Sequence, residues 1–180
     1  MPDISIRPAT LEDAAAICAI YNPYIARTTI SFEEEPVFDS DMAGRIADVQ
    51  ASGLPWLVAE QGGRLLGYAY ATKWRARPAY RTSVEISVYL GEQAAGRGIG
   101  TALYRALLEA LRQLDVHMVI GGIAQPNEAS VALHEKLGFR KVAHFSEVGR
   151  KFGRWVDVGY WELRLQDAQP GDLTGRRPSP

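Results

Sequence analysis

Residues 83–107 read SVEISVYLGEQAAGRGIGTALYRAL, and this stretch decides how the rest of the chain can fold. Its first part, up to Leu90, is rich in β-branched and aromatic side chains and predicts a strand. Gly96, Gly98 and Gly100 then predict a tight turn, and the apolar residues that recur at helical spacing after Thr101 predict a helix. The stretch is therefore expected to form a strand, a glycine-rich turn and a helix.

The glycine-rich turn has the chemistry of an anion site. Closely spaced glycines let the backbone approach a ligand, and the first amides of the following helix add free N–H donors and the positive end of the helix dipole. The turn does not match the common nucleotide motifs, because position 101 is Thr where a dinucleotide-binding turn has glycine, and no Gly-Lys-Ser/Thr follows. We therefore expect a pyrophosphate bound without magnesium, with a purely structural turn as the alternative.

Length and composition indicate one domain. The chain has 180 residues, 47% of them apolar, and a net charge of −1. We expect a single domain over residues 1–165, followed by a disordered tail over 166–180 that is rich in Pro, Gly and Arg. This composition suggests no nucleic-acid partner. No apolar run approaches the roughly 18 residues that span a bilayer, and the first residues do not resemble a signal peptide, so we expect a cytoplasmic protein without a membrane partner.

The cysteine and histidine content argues against disulfide and metal sites. Cys18 is the only cysteine, and its place on an apolar helix face indicates a core residue. The three histidines, at positions 117, 134 and 144, have neither the spacing of metal ligands nor cysteine partners, so no metal is expected.

The pattern of the whole chain predicts an α/β fold with a mixed, mostly antiparallel sheet flanked by helices, in the order β-α-α-β-β-β-α-β-α-β-β. The first helix is predicted to end near Tyr21, before Pro23. Gly62 and Gly63 predict a hairpin turn between the second and third strands. The later elements are expected at 101–114 (helix), 116–123 (strand), 127–138 (helix), 139–148 (strand) and 155–165 (strand).

Over residues 4–165 the chain resembles the GNAT acetyltransferase superfamily. Residues 83–107 look like the coenzyme A pyrophosphate motif of that superfamily. The second signature of the superfamily is similar to Asn127 and the helix after it, which ends in Leu137, Gly138 and Phe139. Within the superfamily the chain is closer to the phosphinothricin and methionine sulfoximine acetyltransferase group. The shared blocks are residues 20–22, 29–36, 74–75, 84–85, 87–89, 133–135 and 152–157.

The resemblance implies acetyl-CoA as the co-substrate. One position departs from the family pattern: Ala95 stands where the superfamily usually has Arg or Gln. We therefore expect backbone amides to hold the pyrophosphate, with Arg97 supplying charge, and a strand N–H to bind the carbonyl oxygen of the acetyl group. The expected coenzyme-binding residues are Val88, Tyr89, Leu90, Gly96, Arg97, Gly98, Ile99, Gly100, Thr101 and Asn127.

Acetyl transfer needs a base, because an amine attacks only when neutral and an α-amino group with a pKa near 8 is mostly protonated at pH 7. Glu85 lies among apolar neighbours that would raise its pKa, and it matches the general base that the resemblance implies. An exposed glutamate on the sheet face is the alternative. His134 matches a histidine implicated in the group, and Tyr104 resembles the tyrosine that protonates the leaving thiolate. Both could instead be structural.

The resemblance also implies a small amino-acid acceptor, such as phosphinothricin, methionine sulfoximine or methionine sulfone. The expected substrate-binding residues are Phe32, Arg75, Ala76, Arg77, Glu85, Ile86 and Ser87, with the arginines able to bind a carboxylate or phosphinate. One alternative is a different acceptor, either another small amine or a peptide N-terminus. The other is a non-catalytic module that binds acyl-CoA. A homodimer is implied, with the last two strands and the turn at 151–155 as candidate interface.

Overall fold

This computed structural model describes residues 3–165 of the chain. This part contains seven strands and four α-helices. They follow the predicted order, which is thereby confirmed, whereas the predicted disorder of 166–180 lies outside the described residues. The elements are β1 (Ser5–Pro8), α1 (Ala14–Arg27), α2 (Asp39–Ala51), β2 (Trp56–Gln61), β3 (Arg64–Lys73), β4 (Ser83–Leu90), α3 (Ile99–Arg112), β5 (Met118–Gln125), α4 (Glu128–Lys136), β6 (Arg140–Lys151) and β7 (Arg154–Arg164).

All seven strands belong to one sheet, in the order β1-β2-β3-β4-β5-β7-β6. The β4–β5 pair is parallel, and the other neighbouring pairs within residues 3–165 are antiparallel. The predicted mixed, mostly antiparallel sheet is therefore confirmed. The helix α3 connects the two parallel strands, as a parallel pair requires a long crossover.

The pairing between β4 and β5 covers only a short part of each strand, and the sheet is open beyond it. Only Ser83, Val84 and Glu85 of β4 are paired with β5, opposite residues 118–120. Both strands continue beyond the last pair, over residues 86–90 and 121–125. The two strands therefore separate, and a gap forms in the middle of the sheet.

Apolar side chains cover both faces of the sheet. On one face, α3 buries Leu103, Leu107 and Leu111 against sheet residues that include Val84 and Ile86. On the other face, α1 and α2 pack with Trp56, Val58 and Tyr68. Helices of both layers lie next to the gap between β4 and β5, since Ile20 of α1 and Tyr104 of α3 line the same cavity.

The prediction that the first helix ends before Pro23 is wrong, since α1 continues through this proline to Arg27. A proline inside a helix removes one hydrogen bond and costs about 3 kcal/mol. Tertiary contacts after the proline oppose that cost: the Tyr24 ring packs edge-to-face on Tyr89 at 5.2 Å between ring centroids, and the Tyr24 hydroxyl donates to the Leu90 carbonyl at 2.7 Å. The tail of α1 is thereby tied to the end of β4.

Candidate active site

A cavity of about 1040 Å³ lies at the gap between β4 and β5. Its wall combines the free part of β4, the turn after this strand, the middle of α1 and one face of α4. The predicted site residues that line it are Ile86, Ser87, Val88, Tyr89, Leu90, Gly96, Tyr104, Asn127 and His134. All three predicted coenzyme residues of β4 therefore lie around one space.

The start of α3 has the glycine conformation and the unpaired helical amides on which the predicted anion site depends. Gly98 adopts a left-handed conformation with φ of 75° and precedes the first helical residue, Ile99, so the helix begins two residues before the predicted start at Thr101. The first hydrogen bond of the helix runs from the Ala102 N–H to the Gly98 carbonyl. The N–H groups of residues 99–101 come before it and have no acceptor within the helix. Such amides and the positive helix end favour a phosphate.

The side chain of Arg97 is directed away from these amides. Its guanidinium donates to the Gln61 side chain at 2.9 Å, at the end of β2. Gly96 lines the cavity, whereas residues 97–101 are not part of its wall. Arg64, which the sequence analysis did not single out, lines the cavity and donates to Gln93 at 2.7 Å.

Asn127 caps the first turn of α4. It precedes α4, and its side-chain oxygen accepts a hydrogen bond from the Ser130 N–H at 3.2 Å. This is a helix N-cap, which stabilises a helix by about 1 kcal/mol. Asn127 also lines the cavity, so this helix cap lies beside the open space.

Glu85 lies where β4 and β5 separate. It is the last residue of β4 that is paired with β5, and its side chain is half-buried above Gly122 of the neighbouring strand. A Cβ atom placed on Gly122 would be 2.9 Å from Glu85 Oε1, and Gly122 lines the cavity. Burial raises the pKa of the Glu85 carboxyl, and the positive charge of Arg75 partly offsets this. A carboxylate in this setting is a suitable general base.

His134 and Tyr104 form a buried pair on the other face of β5. The His134 Nδ1 is 2.8 Å from the Ser130 carbonyl, which only accepts, so Nδ1 carries a proton. In the neutral ring, Nε2 is therefore free to accept, and the Tyr104 hydroxyl is 3.4 Å from it. Burial lowers the pKa of His134 and raises that of Tyr104. Both groups are thus neutral at pH 7.

The loop between β3 and β4 brings one predicted arginine to Glu85. The Arg75 guanidinium lies 5.1 Å above the Trp74 ring, and the Trp74 ring packs edge-to-face on Tyr160 at 5.6 Å between ring centroids. Ala76 and Arg77 are exposed in the same loop. Phe32 is partly exposed and packs on Gly149 of β6. Of the predicted substrate residues, Glu85, Arg75, Ile86 and Ser87 are near the gap.

Two features of the site escaped the sequence analysis. Gly121 and Gly122 leave the space that the His134 ring and the Glu85 carboxylate occupy. Consecutive glycines inside a strand are a known signal of close approach and could have identified them. Tyr160 lies one strand further along the sheet, and no local pattern in the sequence marks it.

Neither a metal site nor a membrane span is found within residues 3–165. No group of three or more His, Cys, Asp or Glu side chains in this part of the chain is arranged to hold a metal ion. None of the helices described combines the length and the apolar character needed to cross a bilayer.

Comparisons with known proteins show what the whole chain is similar to. The family model described as acetyltransferase (GNAT) domain matches residues 6–159. The chain is 42% identical to a phosphinothricin N-acetyltransferase from Streptomyces coelicolor, over 91% of this chain and 97% of that protein. It is 41% identical to a methionine sulfoximine/methionine sulfone acetyltransferase from Pseudomonas aeruginosa, over 89% of this chain and 94% of that protein.

A solved structure shows the same fold with a ligand. A phosphinothricin acetyltransferase from Sinorhizobium meliloti in complex with acetyl-CoA superimposes with a TM-score of 0.87 and 35% sequence identity. The match covers 90% of this chain and 88% of that chain.

Proposed function

The chain belongs to the GNAT acetyltransferase family, and we propose that it transfers the acetyl group of acetyl-CoA to the α-amino group of a small glutamate- or methionine-like amino acid. Phosphinothricin, methionine sulfoximine and methionine sulfone are the proposed acceptors, since relatives with about 40% identity are named for them. The observation that carries the proposal is the meeting of a large cavity and a half-buried Glu85 at the gap between β4 and β5. We assign the activity to residues 1–165 as one domain.

The coenzyme would lie with its pyrophosphate on the first amides of α3 and its pantetheine arm along β4. The backbone of β4 supports this assignment. The Gly91 N–H donates to Leu66 of β3, so the Leu90 carbonyl and, by strand alternation, the backbone groups of Val88 face the gap. There the Val88 N–H can donate to the acetyl oxygen as negative charge develops on it. When bound, acetyl-CoA supplies an acetyl thioester, a good acyl donor.

Glu85 is proposed as the general base. An acceptor amine enters as an ammonium ion and must lose a proton before it can attack a carbonyl carbon. The carboxylate stands at the edge of the gap, and burial keeps its pKa above the ordinary value, which brings it closer to the pKa of the amine. Glu85 thus accepts the proton of the ammonium group.

Tyr104 is proposed to donate a proton to the departing thiolate, and His134 to position it. Tyr104 lines the cavity on the α3 side, opposite Glu85. The His134 ring has a fixed tautomer, because Nδ1 donates to the Ser130 carbonyl, and its Nε2 faces the Tyr104 hydroxyl. The proton acceptor Glu85 and the proton donor Tyr104 thus lie on opposite sides of the gap. This arrangement suits attack of the amine from the Glu85 side and departure of the thiolate on the Tyr104 side.

A thiol-release screen tests this function. Purified protein is mixed with acetyl-CoA and, in separate reactions, with phosphinothricin, methionine sulfoximine, methionine sulfone, the common amino acids and a short peptide. Rapid release of free coenzyme A with the first three acceptors is expected, and mass spectrometry should show one added acetyl group. Preference for the peptide would overturn the acceptor class, and binding of acetyl-CoA without turnover of any acceptor would indicate a non-catalytic module.

We further propose a homodimer formed by the β6–β7 hairpin. β6 is the edge strand of the sheet, and apolar side chains on the hairpin are about half exposed. They are Val142, Phe145, Val148, Phe152 and Trp155, with exposed fractions from 49% to 59%. Exposed apolar groups clustered on an edge strand are typical of an interface. Since acetyl-CoA is an intracellular metabolite, the proposal also places the protein in the cytoplasm.

A Val148→Glu variant should convert this dimer to a monomer. A charge on the edge strand would be buried without a partner at the interface, so the mass measured by light scattering is expected to fall by half. A Leu11→Glu variant is the matched control, since Leu11 is 52% exposed but lies far along the chain from the hairpin. A monomeric wild-type protein would contradict the assignment.

A further inference from the structure

Tyr160 of β7 shares the space above Gly122 with the proposed base. A Cβ atom placed on Gly122 would be 2.9 Å from Glu85 Oε1 and 3.0 Å from Tyr160 Cε1. The charges of Glu85 and Arg75 both act on the Tyr160 hydroxyl, whose pKa burial raises. The phenol ring therefore lies in the acceptor half of the site, together with Glu85 and Arg75.

The orientation of this ring is fixed by its neighbours. Trp74 packs edge-to-face on one side, at 5.6 Å between ring centroids and 75° between ring planes. Phe145 packs edge-to-face on another side, at 5.6 Å and 81°. Such pairs stabilise a defined geometry. The ring is thus held in place by aromatic packing, without help from its hydroxyl.

The Tyr160 hydroxyl makes no hydrogen bond to any residue within 3–165, although Tyr160 is half-buried. Two tyrosines of α1 differ in this respect: the Tyr21 hydroxyl is bonded to the Ser31 hydroxyl at 2.8 Å, and the Tyr24 hydroxyl donates to the Leu90 carbonyl at 2.7 Å. A fixed phenol donor without an internal partner, next to the base, is suited to bind a substrate.

We propose that Tyr160 is a specificity-determining residue whose hydroxyl donates a hydrogen bond to an oxygen on the side chain of the acceptor amino acid. This inference rests on the proposed function and deepens it. Arg75 is the charged donor beside Glu85 and suits the α-carboxylate, which it can bind with two hydrogen bonds. The uncharged phenol suits the sulfone, sulfoximine or phosphinate oxygen. The site therefore favours acceptors with an oxygen-bearing tetrahedral side-chain group over their thioether analogues.

Tyr160→Phe tests the inference, because it removes the hydroxyl and keeps the ring between Trp74 and Phe145. Steady-state kinetics are measured at saturating acetyl-CoA with methionine sulfone and with methionine. We expect kcat/KM for the sulfone to fall about tenfold, mainly through KM, while kcat/KM for methionine changes by less than about twofold. The melting temperature should stay that of the wild type.

Tyr80→Phe is the control variant, since Tyr80 is 40% exposed on the loop before β4 and its hydroxyl has no assigned role. It should leave the ratio between the two acceptors unchanged. Equal losses on both acceptors in Tyr160→Phe, or no loss on either, would overturn the specificity role while leaving acetyl transfer intact. Failure of the wild-type protein to use any amino acid would instead overturn the proposed function, and the inference with it.

Discussion

Glu85→Gln is expected to lower kcat by about 10² to 10⁴ at pH 7 while the affinity for acetyl-CoA stays close to that of the wild type. The amide has nearly the same shape as the carboxylate but cannot accept a proton from the ammonium group. The coenzyme is proposed to bind β4 and the start of α3 through backbone groups, which this substitution leaves unchanged. Thiol-release kinetics and calorimetric titration with acetyl-CoA measure the two quantities separately.

The pH profile gives an independent measure of the same residue. The proposed base, Glu85, can accept a proton only when it is ionised, and burial raises its pKa above the ordinary value of 4.5. Activity should therefore fall as the pH drops through this raised pKa. The acidic limb of the kcat profile should disappear in Glu85→Gln. Because Arg75 lowers the pKa of Glu85, an Arg75→Gln variant should move this limb to higher pH.

Glu109→Gln is the matched control for the base. Glu109 lies on α3 with 60% of its side chain exposed, paired with Arg112 within the same helix. Glu109 is exposed, although Arg112 is largely buried, and neither residue lines the cavity, so kcat and the pH profile should match those of the wild type. A Glu85→Gln enzyme that kept its turnover would show that another group, or water alone, removes the proton.

The local pattern of residues 83–107 predicts a large part of this arrangement. A strand, a glycine-rich turn and a helix are local features, and the pattern of residues 83–107 determines them because each depends on neighbours within one turn of chain. The start of α3 was placed only two residues late. The continuation of α1 through Pro23 was missed because it depends on the contact of Tyr24 with the end of β4.

The residues that escaped prediction are those whose role depends on the gap. Tyr160 reaches the site because β7 lies beside β5, and it is held there by Trp74 from the loop before β4. Three distant parts of the chain meet at this point, and no periodicity within one of them indicates the meeting. The separation of β4 from β5 likewise follows from pairing over only three positions. Long-range packing, not local pattern, brings together the residues proposed to bind the acceptor.

The glycine pair on β5 allows the two faces of the gap to be tested separately. Successive residues of a strand point to opposite faces, and the structure places His134 against Gly121 and Glu85 against Gly122. A methyl group at either position would thus disturb a different residue of the proposed catalytic set. The partners differ in mobility, since His134 is 2% exposed whereas Glu85 is half-buried. The two substitutions are therefore expected to have different effects.

Gly121→Ala should mainly destabilise the protein. The new Cβ would lie 2.7 Å from His134 Cδ2, and the ring cannot move freely because it is bonded to the Ser130 carbonyl and packs on Phe139 at 5.1 Å between centroids. Overpacking of this kind costs about 1 to 3 kcal/mol, which lowers the melting temperature by about 5 °C in a chain of this size. Activity should fall as well, because the Tyr104 hydroxyl loses its partner. Calorimetry and thiol release measure both effects.

Gly122→Ala should mainly reduce activity, with a smaller loss of stability than Gly121→Ala. Its Cβ would meet the far end of the Glu85 side chain, which can rotate away because it is partly exposed, and kcat is expected to fall at least tenfold when the carboxylate leaves the gap. The Cβ would also lie 3.0 Å from Tyr160 Cε1, and because Trp74 and Phe145 hold this ring, some loss of melting temperature is expected as well. Gly44→Ala is the control for both variants: nothing lies within 4 Å of its Cβ, and alanine at this exposed position of α2 should stabilise the protein by about 0.5 to 1 kcal/mol. Equal loss of melting temperature in the two β5 variants, with equal activity, would refute the placement of base and histidine on opposite faces of the gap.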